Sequence, residues 1–155
     1  MVPGRAGEPG ELCGVPGERQ LGTVERNLPQ GIFGRWEAPV PAAAAVIAAA
    51  DEEIRLGPAE LLSTVDGAGP RRFAAEIIRL DRTGGRVRQM TVAVTDPELL
   101  RRTGGIVQGM SGSPILQNGK LIGAVTHVLV SDPSKGYGIS AENMLAAAAA
   151  LSPAA

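Results

Sequence analysis

The chain has 155 residues, 44% hydrophobic but only 3% aromatic, and a formal net charge of −1. That length fits one domain, and such a composition builds a core from Val, Ile, Leu and Ala. The near-neutral charge excludes a broad basic field for nucleic acid. One cysteine (Cys13) excludes an intrachain disulfide, and one cysteine with one histidine (His127) leaves no metal-ligand set.

Taken in order, residues 1–18 carry glycine at positions 4, 7, 10, 14 and 17, too irregularly for a collagen repeat. They read as an extended segment ahead of a domain spanning 19–155. The opening Met1-Val2-Pro3-Gly4-Arg5 does not start a signal peptide. Residues 21–36 alternate short apolar stretches with Gly and Asn, as in a β-meander, with Phe33 and Trp36 read as core. Residues 38–50 are apolar, Pro-interrupted, and short of the roughly 20 residues of a membrane span; from 40 on, strand and helix are both open. Residues 59–65 and 73–80 read as strands, followed by turns at Asp66-Gly67-Ala68-Gly69-Pro70 and Thr83-Gly84-Gly85.

Residues 87–95 alternate, with Met90, Val92 and Val94 on one side and Gln89, Thr91 and Ala93 on the other. Asp96-Pro97-Glu98-Leu99-Leu100-Arg101-Arg102-Thr103-Gly104 predicts a short helix. Asp caps it, Pro takes the first position, arginines close it and Gly ends it. Strands at 115–117 and 121–130 flank Asn118-Gly119, a strong hairpin signal. Asp132-Pro133-Ser134-Lys135-Gly136-Tyr137-Gly138 reads as a loop near a cleft, and residues 140–150 as an Ala-rich helix capped by Ser140. Many short strands with one closing helix predict a mostly β fold, a barrel or sandwich.

Chemistry concentrates at Gly109-Met110-Ser111-Gly112-Ser113-Pro114, a G-x-S-G-x-P turn before an apolar hairpin. The glycines permit torsions that other residues avoid. Such a turn exposes the Ser111 hydroxyl and leaves the N–H groups of Gly109 and Ser111 to hold an oxyanion. A plain Gly/Ser connection between strands satisfies the same spacing. Asp96 is open between a helix cap and a triad carboxylate. Lys120 and Lys135 sit in turn and loop contexts unsuited to a Ser-Lys dyad, and Cys13 has no histidine nearby in sequence.

The run from Thr103 to Ile139, TGGIVQGMSGSPILQNGKLIGAVTHVLVSDPSKGYGI, resembles the SpoIVB-type (stage IV sporulation protein B) serine peptidases, a chymotrypsin-like family. Looser matches precede it at Gly7-Glu8-Pro9-Gly10-Glu11-Leu12, Gly22-Thr23-Val24-Glu25-Arg26-Asn27, Gly31-Ile32-Phe33-Gly34 and Gly57-Pro58-Ala59. The resemblance implies a partly truncated double β-barrel with Ser111 as nucleophile and Ser113 supporting its turn. Asp96, in the matching Thr95-Asp96-Pro97, would orient the catalytic histidine. Thr126, His127 and Val128 would line a cleft that pairs with an extended peptide.

The family's catalytic histidine lies in a G-H-G-type segment upstream of the region matched here, and no histidine precedes Ser111. The expectation is therefore a peptidase domain without its upstream His-bearing part, from a truncated reading frame. The PDZ module and membrane anchor of the family have no counterpart in it. By resemblance, the activity is endopeptidase cleavage of a membrane-associated sporulation protein between forespore and mother-cell membranes, leading to sigma-factor processing, with no metal or organic cofactor. The alternative is a catalytically inactive β-domain that binds extended peptides. Open barrel edges predict self-association of the isolated chain.

Overall fold

In the computed structural model, the described residues are 1–8, 10–14, 17–39, 45–81 and 87–150. Strands β1 (Gly22–Leu28) and β2 (Gly31–Trp36) form an antiparallel hairpin that shares no ladder with the other strands. Six further strands close a barrel: β3 (Gly57–Ser63), β4 (Arg71–Leu80), β5 (Met90–Val94), β6 (Pro114–Gln117), β7 (Lys120–Val128) and β8 (Lys135–Ser140). Their order around it is β3-β4-β5-β8-β7-β6, and every ladder is antiparallel.

Alternation explains the barrel. On β3 the buried side chains are Ala59, Leu61 and Ser63, on β4 Phe73, Ala75 and Ile77, and on β5 Met90, Val92 and Val94. Successive side chains on a strand face opposite ways, so each strand supplies one inward row. Ile115, Ile122 and Val125 complete the same cluster. The β6–β7 turn is Asn118-Gly119, with φ of 52° and 77°, the left-handed pair that a two-residue hairpin requires.

Helix α1 (Pro97–Thr103) has the predicted ends. The Asp96 side chain accepts from the amides of Glu98 and Leu99, and Gly104 terminates it in the left-handed region. Helix α2 (Ala141–Ala149) follows β8 directly, and the Ser140 hydroxyl accepts from the Asn143 amide. No helix among the described residues is long and apolar enough to cross a membrane.

Barrel closure is asymmetric. The β3–β4 ladder pairs Gly57 through Ser63 with Ile77 through Arg71, whereas β3 meets β6 only at Glu60↔Leu116 and Leu61↔Ile115. The buried Gln117 side chain extends this seam. Its Oε1 accepts from the Arg55 amide at 3.0 Å, and its Nε2 lies 3.1 and 3.0 Å from the carbonyls of Arg55 and Pro58.

Three sequence readings need correction. The presumed loop at 132–138 runs into β8, which starts at Lys135 and bridges β5 and β7. Its glycines are there because the barrel is tight: a Cβ on Gly136 would lie 2.6 Å from the His127 carbonyl oxygen, and one on Gly138 2.9 Å from Ile115 Cδ1. Residues 87–89 stay outside β5. Trp36 is not core but 57% exposed, because the hairpin packs outside the barrel. Residues 45–50 form no regular element beyond a bridge from Ala48 to Leu121, while positions 40–44 and the Thr83-Gly84-Gly85 turn lie outside the described residues.

Candidate active site

Burial alternates sharply around the nucleophile candidate. Met110 is 1% exposed, while Gly109, Ser111 and Gly112 are exposed. The methionine therefore plugs the turn into the core and turns its neighbours outward. Its thioether also accepts from the Val107 amide, at 3.3 Å. Gly109 and Gly112 adopt φ of 95° and 89°, where a side chain is strained. The Gly112 amide donates to the Val125 carbonyl, the Ser113 amide to the Met110 carbonyl, and the Ser113 hydroxyl to Ser63 Oγ at 3.2 Å. The turn is thus fixed on both sides of Ser111.

Two amides stay out of this network. Neither Gly109 N–H nor Ser111 N–H donates to a protein acceptor among the described residues. Unpaired N–H groups on either side of a buried anchor are what an oxyanion site needs. The Ser111 hydroxyl itself donates to the Thr126 carbonyl at 2.8 Å. That carbonyl belongs to a bulge, since the β7–β8 register shifts between Val125 and His127.

A cleft of about 320 Å³ opens beside Ser111. Its walls include Ala124, Val125, Thr126 and His127 on β7, Ile139 on β8, and Met144 on α2. The hairpin tip, residues 29–33, forms another wall, so Phe33 faces the cleft. Thr126 and His127 line this cleft, whereas Val128, expected beside them, packs against the core. The exposed His127 shares the cleft with Ser111, yet the serine proton points to the neighbouring carbonyl.

Asp96 has three amide partners. Glu98 and Leu99 donate to Oδ1 at 2.9 Å each, and Ala74 donates to Oδ2 at 3.3 Å. Burial raises its pKa, but these amides and the charge of Arg71 outweigh it and hold the carboxyl below its usual range. The carboxylate hydrogen-bonds neither Ser111 nor His127. The geometry accounts fully for a helix cap and brings no imidazole to this carboxylate. Lys120 pairs with Glu53 and Lys135 with Asp132, and Cys13 is exposed.

The SpoIVB peptidase S55 family matches residues 1–145. This chain belongs to that family. The SpoIVB peptidase S55 assignment agrees with the fold, because the solved structure of the Rv3671c protease in an inactive form is similar at a TM-score of 0.60. The two are 20% identical, over 85% of this chain and 67% of that one. An inactive-form serine-to-alanine variant of Rv3671c from M. tuberculosis H37Rv gives a TM-score of 0.61 at 20% identity, over 86% and 67%. No curated protein sequence matches the chain. The fold is therefore that of a chymotrypsin-like serine protease, with one barrel closed and a hairpin beside it.

Sequence reasoning missed the hairpin tip, Met144 and Met110 as parts of the site. Only Met110 had a local signal, as a large apolar residue between Gly109 and Ser111. The others reach the cleft through tertiary packing.

Proposed function

We propose that this member of the SpoIVB peptidase S55 family is a serine endopeptidase domain acting through an acyl-serine intermediate. The observation that carries this reading is the Ser111 turn: an exposed hydroxyl beside two unpaired amides, facing an apolar cleft. Ser111 Oγ attacks the scissile carbonyl, and the Gly109 and Ser111 amides hold the resulting oxyanion. The C–N bond then breaks, and the amine leaves with the proton that the base took from Ser111. Water hydrolyses the ester and returns the enzyme.

The base is a histidine supplied from outside these 155 residues, and Asp96 would orient it. A serine hydroxyl needs such a partner, and Ser111 donates instead to a carbonyl. The substrate is a membrane-associated sporulation protein, met as an extended peptide along Thr126 and His127. Cleavage would take place between the forespore and mother-cell membranes and lead to sigma-factor processing. These finer assignments are carried over from the family by resemblance.

That same serine–carbonyl hydrogen bond favours a second reading, a peptide-binding domain without turnover. Intact-mass measurement after a fluorophosphonate probe separates the two. We expect labelling of Ser111, abolished in Ser111→Ala, once a histidine-bearing segment is added in trans. Labelling of the chain alone would assign the base to His127. A folded chain that labels in neither arm would leave the binding domain.

A further inference from the structure

The glycine-rich N-terminus is docked. Residues Val2 and Glu11 exchange two backbone hydrogen bonds of 2.8 Å, and Arg5 and Glu8 exchange another pair, closing a small hairpin. Gly4 and Gly10 are buried where its arms cross. A Cβ on Gly10 would lie 2.4 Å from both Gly4 N and Val2 O. This strap grips the barrel domain at three points. Gly4 N–H donates to the Thr103 carbonyl at 2.7 Å, and Gly7 N–H to the Val130 carbonyl at 2.8 Å. The third grip is a parallel bridge in which Gln108 N–H donates to the Gly10 carbonyl and Leu12 N–H to the Gln108 carbonyl, both at 2.8 Å.

Gln108 directly precedes Gly109. A Cβ on Gly109 would meet Leu12 Cβ at 3.0 Å and Leu12 O at 3.2 Å, so Leu12 lies flat against this glycine. Thr103 and Val130 flank the same region, one at the end of α1 and one just after the cleft wall of β7.

We infer that residues 1–8 and 10–12 form a positioning strap, in which Leu12 and the Gly10–Gln108 bridge hold the Gly109 peptide in its oxyanion-binding orientation. None of its residues touches the reacting atoms. Its action runs through the backbone of Gln108 and Gly109. Gly109 has no side chain of its own to restrict φ and ψ, so an external surface must do so. A misplacement of about 1 Å at an oxyanion donor is enough to cost about a hundredfold in rate.

The inference rests on the peptidase reading, but its test has a readout independent of it. In the full chain, Gly10→Ala forces the arms apart, Leu12→Gly removes the Cβ that lies beneath Gly109, and Leu12→Ala keeps that Cβ. Gly14→Ala is the control, since a Cβ there meets nothing within 4 Å. Amide hydrogen exchange followed by NMR should show at least about tenfold faster exchange at Gln108 and Met110 in Gly10→Ala, with β4 and β5 unchanged. Leu12→Gly should shift the Gly109 amide resonance, and Leu12→Ala should leave it near its parent position. Fluorophosphonate labelling of Ser111, with the histidine-bearing segment present, should slow by about ten- to a hundredfold in both disrupting variants.

Unchanged Gln108 exchange together with an unmoved Gly109 resonance overturns the inference. So does faster exchange spread equally through β4 and β5, which would make the strap a general stabiliser. If the parent chain never labels, the peptidase reading fails while the exchange data still decide the strap. If Gly10→Ala does not fold, Leu12→Gly compared with Leu12→Ala carries the test alone.

Discussion

The barrel and the β1–β2 hairpin are built from similar residues and meet opposite fates. The barrel buries Leu61, Ile77, Val92 and Ile115 completely. The hairpin leaves Val24, Ile32 and Trp36 between 57% and 69% exposed. Both have satisfied ladders, so hydrogen bonding does not separate them. Closure does, because a closed sheet has an inside and a two-stranded ribbon does not. The barrel is the structural unit. The hairpin serves it by placing its tip over the cleft beside Ser111.

The largest break in that contrast should come from the barrel interior. Leu61→Ala should cost about 2–5 kcal/mol in urea unfolding, as a fully buried leucine leaves a cavity. A cost below about 1 kcal/mol would mean that the barrel does not carry the stability.

Asp96 gives the next effect, on the helix that leads to the Ser111 turn. Asp96→Ala should lose about 1–2 kcal/mol with the cap, whereas Asp96→Asn should keep most of it, since Asn caps as well as Asp. If Asp96 also orients a histidine, Asp96→Asn should lose Ser111 labelling while keeping stability. Retained labelling would confine Asp96 to capping. The sign with pH follows from its lowered folded-state pKa. The carboxylate stabilises the fold above its ordinary value of 3.8, and that contribution disappears as pH falls through the folded value. Asp96→Asn should therefore flatten part of the acid limb of a stability–pH curve. Glu53, Asp66, Glu98 and Asp132, also lowered, keep the remainder.

The smallest effect belongs to the hairpin. Trp36→Ala should change unfolding stability by no more than about 0.5 kcal/mol. It should, however, reduce self-association in size-exclusion chromatography if the exposed ribbon is what associates. An equal change in stability for Trp36→Ala and Leu61→Ala would erase the distinction between the two regions.

Where local chemistry decides, the sequence was readable. Asp96-Pro97 and Gly104 bracket α1, Asn118-Gly119 turns β6 into β7, and Met90, Val92 and Val94 face inward as their alternation required. The nucleophile turn was legible for the same reason, because its glycines and its buried methionine act within six residues. What escaped depends on distant partners. Strand β8 looked like a loop because Gly136 and Gly138 are chosen by the His127 carbonyl and the Ile115 side chain, not by strand propensity. Trp36 looked like core because hydrophobicity does not say whether a ribbon has anything to pack against. The role of Leu12 was invisible because Gly109 lies far away in sequence.

The β3–β6 seam gives the barrel a preferred line of parting. Two backbone pairs, one glutamine side chain and one serine pair hold it, against seven backbone pairs between β3 and β4. Thermal breathing will concentrate there. The Ser113–Ser63 hydrogen bond crosses the same line, two residues from Ser111. Each transient parting would unlatch the nucleophile turn while the rest of the cylinder stays shut, making reactivity at Ser111 sensitive to a fluctuation far smaller than unfolding.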